Sequence, residues 1–243
     1  MTFMRPGIPA LAAMLLAAPA FSQTQNPQSQ TAPAVRTTMP GQMARLAPDE
    51  LYQGWRARQL IGQQVSRKGG ETIGTVRDLI IDGDGRLAAL VMEGSGTLGI
   101  PDAVYRIPWN EVDLTPGRDG VAADLADGGG KPQYGLFPGS EGVPTLPREF
   151  RLTEILGDYA RLQTGLGYGY VIDAVFENDG RLIAVLVSRD KESGGGTFAF
   201  AFPGDPGRWD PGASYYGLPF VTPSQAETAG LRIAPDKFKS AAL

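Results

Sequence analysis

The sequence predicts a mostly β chain built as two small, similar β-barrels in tandem, with short helices at their flanks. Three observations predict it. Glycine and proline are abundant, at 33 and 20 of 243 residues, which favours many turns between short strands over long helices. Residues 60–92 align without a gap on residues 155–187, at a constant offset of 95. In both stretches an Asp-Gly pair, Asp84-Gly85 and Asp179-Gly180, sits between apolar runs. Gly accepts positive φ and Asp tolerates it, so this is a strong hairpin signal.

Taken in chain order, the first stretch carries Arg5, an apolar run over residues 8–18, and small residues at Ala18, Ala20 and Ser22. The run is shorter than the roughly 20 residues that cross a bilayer. It has the pattern of a cleaved secretory signal over 1–22, with the cut expected after Ser22 and a cut after Ala20 as the alternative. Residues 23–47 are polar and contain Pro, with too few apolar residues to offset ordering. They are expected to form a disordered tether.

A first domain is expected over 48–125. It opens with a helix over residues 48–60 that has Pro48 in its first turn, followed by a strand over 72–82 with a period of two. The returning strand, residues 87–92, is apolar at every position, so both of its faces should be covered. Strands over 104–109, 112–114 and 121–125 complete it. A Gly/Pro-rich linker follows over 126–147, then a second domain over 148–221. A C-terminal region, 222–243, should hold a short helix with Thr222 as N-cap, Pro223 at N1 and Gln225 at N3, ending by Gly230.

Composition narrows the function. The chain has no Cys and no His, which removes serine-histidine catalysis, thiolate nucleophiles, the common zinc sites and disulfide stapling. Its formal net charge is −4, so binding nucleic acid by counterion release is not expected. No apolar stretch after the leader is long enough to span a membrane. The expected product is periplasmic or secreted, with no cofactor.

Ten positions are identical between the two aligned stretches, among them Gly62/Gly157, Gly74/Gly169, Asp78/Asp173, Asp84/Asp179 and Gly85/Gly180. Gly74 and Gly169 are expected to need close backbone approach or a bulge. The runs Trp55-Arg56-Ala57-Arg58-Gln59-Leu60-Ile61-Gly62, Gly74-Thr75-Val76-Arg77-Asp78-Leu79-Ile80-Ile81-Asp82, Asp84-Gly85-Arg86 and Ile107-Pro108-Trp109 resemble the PRC-barrel family. Leu156-Gly157-Asp158-Tyr159, Gly169-Tyr170-Val171-Ile172-Asp173 and Asp179-Gly180-Arg181 resemble the same domain. The resemblance implies small, roughly six-stranded barrels that act as docking or assembly modules, with no shared catalytic residues. The second stretch departs from the pattern after Val187, where no Ile-Pro-Trp follows.

Asp78 and Asp173 are the strongest carboxylate candidates, each on an otherwise apolar strand face. Two lone acids in two copies do not make one cleft, and hydrogen bonding to nearby backbone is the favoured role. Asp82, Asp84 and Glu93 fall at positions 1, 3 and 12 of a calcium loop. Leu87 stands where that loop requires Gly, and a turn is expected instead. The late aromatics divide in two. Phe198, Phe200 and Phe202 are expected on one strand face. Trp209, Tyr215, Tyr216 and Phe220 either cover the barrel or form a candidate binding surface. The expectation is a non-catalytic scaffold for protein partners in the cell envelope, or for self-association. A small-molecule or cell-wall glycan binder using the aromatic surface is the alternative.

Overall fold

The computed structural model describes residues 45–67, 70–96, 103–114, 121–123, 145–191, 194–202 and 213–238. These all lie in the unit Thr38–Leu243. The predicted leader, most of the tether and most of the linker fall outside the described residues, as does Trp209.

Helix α1 (Pro48–Gln53) starts on Pro48. The expected helix over 48–60 is broken by a two-residue strand, β1 (Trp55–Arg56), before α2 (Ala57–Leu60). The break follows from Gly54, where a Cβ would lie 2.7 Å from Val175 Cγ1 and 2.8 Å from the Phe176 carbonyl oxygen. At that point the chain is pressed against another strand and must run extended.

The first sheet is formed by β2 (Gln64–Arg67), β3 (Thr72–Asp82), β4 (Leu87–Gly94), β5 (Val104–Pro108), β6 (Val112–Asp113), β7 (Val121–Ala123) and β8 (Glu149–Arg151). Its order is β5-β4-β3-β2-β7-β6, with β8 on β3. After β8 comes α3 (Leu152–Ile155). The second sheet is formed by β1 together with β9 (Tyr159–Arg161), β10 (Gly167–Phe176), β11 (Leu182–Arg189), β12 (Thr197–Ala201), β13 (Tyr215–Gly217) and β14 (Leu231–Ile233). Its order is β13-β9-β10-β11-β12-β14, with β1 on β10. Among the described residues the fold is therefore mostly β, in two seven-stranded sheets with a few short helices.

The expected closed barrels are not what the hydrogen bonds draw. Neither path returns to its first strand among the described residues. Each sheet instead takes a strand from the other half of the chain. β3 is 11 residues long and β2 only four, so the far end of β3 is free to pair with β8. β10 outruns β9 in the same way and pairs with β1.

The core follows from this exchange. Leu60, Val76, Leu79, Leu90 and Met92 pack in one cluster with Leu152, Val171, Phe176, Val185 and Val187. β4 and β11 are buried on both faces along nearly their whole length, as their unbroken apolar sequences require. Val185 and Val187 face this shared interior. Ala184 and Leu186 lie on the other face, under Leu51 of α1 and against Ile233 and Phe238. Helix α4 (Pro223–Ala229) is capped by Thr222, whose hydroxyl accepts from Gln225 N at 3.3 Å.

Candidate binding surface

Asp78 and Asp173 sit immediately after matching bulges. β3 slips against β4 between Val76 and Asp78, and β10 slips against β11 between Val171 and Asp173. One extra residue at each place re-aims the carboxylate. Both groups are buried, at 0% and 2% exposure, and both hold the N-terminus of a helix from the other half. Asp78 Oδ1 accepts from Thr153 N at 3.1 Å and Asp173 Oδ1 from Arg58 N at 3.0 Å. These are the second residues of α3 and α2, where a helix has amides with no partner of its own. Each carboxylate also accepts from the next amide of its own strand, Leu79 N at 2.7 Å and Ala174 N at 2.9 Å.

Burial pushes both carboxyls above their ordinary value, against the lowering effect of these hydrogen bonds. Each carboxylate thereby links the two halves, and each serves a different helix.

The Asp-Gly turns complete the seam. Gly85 and Gly180 have φ of +78° and +82°. Asp82 Oδ1 accepts from Asp84 N and Arg86 N, both at 2.9 Å, and Asp179 Oδ1 accepts from Arg181 N at 3.0 Å. The two tips meet back to back, with Leu87 N donating to Gly180 O and Leu182 N to Gly85 O, each at 2.9 Å. Arg86 and Arg181 form the bridge pair between them. A Cβ at Gly85 would collide with the Phe202 ring, and one at Gly180 would lie 2.6 Å from Trp109 Nε1. Each turn is thus covered by an aromatic ring of the other half.

Gly74 and Gly169 lie where strands approach closely. A side chain at Gly74 would meet the Glu93 carbonyl oxygen and Met92, and one at Gly169 the Ser188 carbonyl oxygen and Arg189 Cα. Gly62 and Gly157 have φ of +91° and +106° with open space around them. They are required by backbone conformation rather than by crowding.

Of the four residues of the expected aromatic surface, Tyr216 and Phe220 are core, and Trp209 lies outside the described residues. Tyr216 and Phe220 are 2% and 4% exposed. Tyr216 is turned to the buried side of β13 beside β9, and the Phe220 ring packs against Phe200 at 6.2 Å. Tyr215 is half-buried on the outer face. It belongs to a different group, which the late-aromatic count missed.

Tyr215 pairs with Tyr159 across β13 and β9, and Tyr159 pairs with Tyr170 across β9 and β10. Tyr159 and Tyr170 are 43% and 38% exposed. Their rings lie 4.4 Å apart, and the Tyr170 hydroxyl donates to the Tyr159 hydroxyl at 2.7 Å. That hydrogen bond holds the Tyr170 phenol above its ordinary value. The exposed Arg161 guanidinium stands 5.1 Å from the centre of the Tyr215 ring and 6.0 Å from that of Tyr159. The result is a tyrosine row with one arginine, fixed on three paired strands.

Simple alternation would put Tyr168 and Tyr170 on one face. A register shift between Gly167 and Gly169 separates them. Tyr168 goes into the core against Phe198 and Phe200, and Tyr170 goes out. In the first half the positions matching Tyr159, Arg161 and Tyr170 are Gln64, Ser66 and Thr75, so the row belongs to the second half alone.

Fold and site together define a β-rich, two-sheet module with a buried acid against each crossing helix and an exposed tyrosine–arginine row on the second sheet. Residues 55–121, from β1 to the first residue of β7, match the PRC-barrel domain family. No curated protein matches the chain. Among the described residues no helix is long and apolar enough to cross a membrane.

Proposed function

We propose that the chain is a non-catalytic scaffold. In this reading two PRC-barrel-like halves are exported behind a cleaved leader, and the tyrosine–arginine row docks a protein partner in the cell envelope. The observation that carries the reading is the row itself. Tyrosine and arginine on a rigid sheet supply contact area and hydrogen bonds at little entropic cost, and only one of the two halves carries them. Glycan binding is the weaker reading. The rings of Tyr159 and Tyr170 cover each other at 4.4 Å and do not lie side by side as an open platform.

The test is quantitative capture from envelope extract with the wild-type chain and with a Tyr159→Ala, Arg161→Glu, Tyr170→Ala variant of matched thermal stability. Proteins retained by the wild type should fall at least tenfold with the variant. Equal retention would remove the row from the function. Export is checked separately by N-terminal sequencing of periplasmic protein, which should begin at Gln23 or, as the alternative, at Phe21.

A further inference from the structure

We propose that the seam between the halves also forms between two copies of this chain, giving a reciprocally exchanged dimer in which the first half of each copy closes on the second half of the other. The seam has the geometry for it. Its fastenings come in matched pairs: β1 on β10 and β8 on β3, Arg58 N on Asp173 and Thr153 N on Asp78, and the two turn bonds around Arg86 and Arg181. Each of these joins a residue of the first half to one of the second, and none depends on which chain supplies the partner. The core is shared as well, so a half left without its complement would expose Leu60, Leu79, Leu152 and Phe176 to water. Apolar surface of that kind is rarely tolerated. A second copy is the one partner that carries the full complement on both sides, and such exchange is a low-cost route to dimers.

The covalent connection sets the balance. Joining two binding partners on one chain gives an effective concentration on the order of millimolar. The closed monomer should dominate in dilute solution and the exchanged dimer at high concentration. The dimer would present two tyrosine rows. That consequence rests on the proposed function, whereas the exchange itself does not.

The chain has no native Cys, so engineered thiols report cleanly. Arg86 and Arg181 are both exposed and face each other at a position flanked by the turn hydrogen bonds. A non-hydrogen-bonded antiparallel pair of this kind has Cα atoms about 4.5 Å apart, within disulfide range. The R86C/R181C double variant should close a disulfide within one chain. R86C chains and R181C chains, unfolded, mixed and refolded together, should give a covalent heterodimer whose yield rises at least tenfold between about 10 µM and about 1 mM, the range over which exchange overtakes closure. Closure in the double variant with no heterodimer at any concentration would overturn the exchange and leave the seam intact. Failure of the double variant to close would overturn both.

Discussion

The second half's entry segment lies on the first sheet with its polar groups nearly all paired. Asp78 takes the Thr153 amide on one oxygen and the Thr153 hydroxyl on the other. Glu149 of β8 holds Arg106 of β5 through two bonds of 2.6 Å. The first half's entry segment lies on the second sheet differently. Trp55 stacks on Phe176 at 5.1 Å and on Trp109 at 5.9 Å, and its indole donates to Glu177 O at 3.1 Å. There Asp173 has only Arg58 N and its own strand. Its Oδ2 is buried without a hydrogen bond, and Arg56 at 3.6 Å is close enough for charge attraction but too far for a hydrogen bond. At the two aspartates one residue makes the difference, since position 153 is Thr and its counterpart, position 58, is Arg. The carboxylate on a helix amide is the fixed part of the joint. Hydroxyl, ion pair and aromatic stack are interchangeable reinforcements.

The largest effect expected from this comparison is that of Asp78→Ala. It strands two amides and a hydroxyl at about 1–3 kcal/mol each, for a loss of about 3–5 kcal/mol in urea unfolding. Asp173→Ala strands two amides but also removes an oxygen that is already unpaired, and should cost about 2 kcal/mol. Equal losses, or a larger one at Asp173, would break the comparison.

Gly169→Val should destabilise by about 1–3 kcal/mol, and Gly74→Val by less. The neighbours at Gly169 are all backbone, while two of the three at Gly74 belong to the flexible Met92 side chain. Thermal unfolding of the two variants checks the order.

Arg58→Thr sharpens the comparison from the other side. A threonine hydroxyl at that position can donate to Asp173 Oδ2 as Thr153 does to Asp78. The gain should be about 1 kcal/mol, reduced by loss of the exposed bond from Arg58 Nε to Ile172 O. Denaturant titration that shows no gain, or a loss, would mean that Oδ2 is satisfied some other way.

The smallest effect is on pH. Asp78 and Asp173 have carboxyls raised by burial. A group raised on folding contributes stability that is complete below its unfolded value and is lost as pH rises through the folded one. Asp158, also raised by burial, acts in the same sense. Glu149, held low first by its hydrogen bond to Arg106, has the opposite sign, with stability lost only as pH falls below the ordinary glutamate range. Stability should therefore increase on acidification from neutrality until glutamate protonation begins. The D78N/D173N variant should show a shallower slope, read from unfolding midpoints across pH.

Much of the fold was legible because its signals are local. The Asp-Gly turns, the period of two in β3, the Thr222 cap and the unbroken apolar runs each follow from residues a few positions apart. The repeat predicted that whatever one half does the other does too. It could not tell whether an entry segment folds onto its own sheet or the other one, because both choices bury the same residues. The bulges at Arg77 and Ile172 decide where the buried acids point, and no spacing in the sequence marks them. The exposed tyrosine row was not legible for a related reason. Composition drew attention to Trp209, Tyr215, Tyr216 and Phe220, which lie close in sequence. The tyrosine row is gathered from three strands by pairing, and only Tyr215 is common to both.

Hydrogen exchange on the Asp78→Ala variant, at a temperature where it remains folded, tests most directly whether the halves fasten each other. Exchange should speed up at Thr153 and through α3, in the second half of the chain, together with Leu79 in the first. Faster exchange confined to β3 and β4, with the amides of α3 as protected as in the parent, would contradict the exchanged seam.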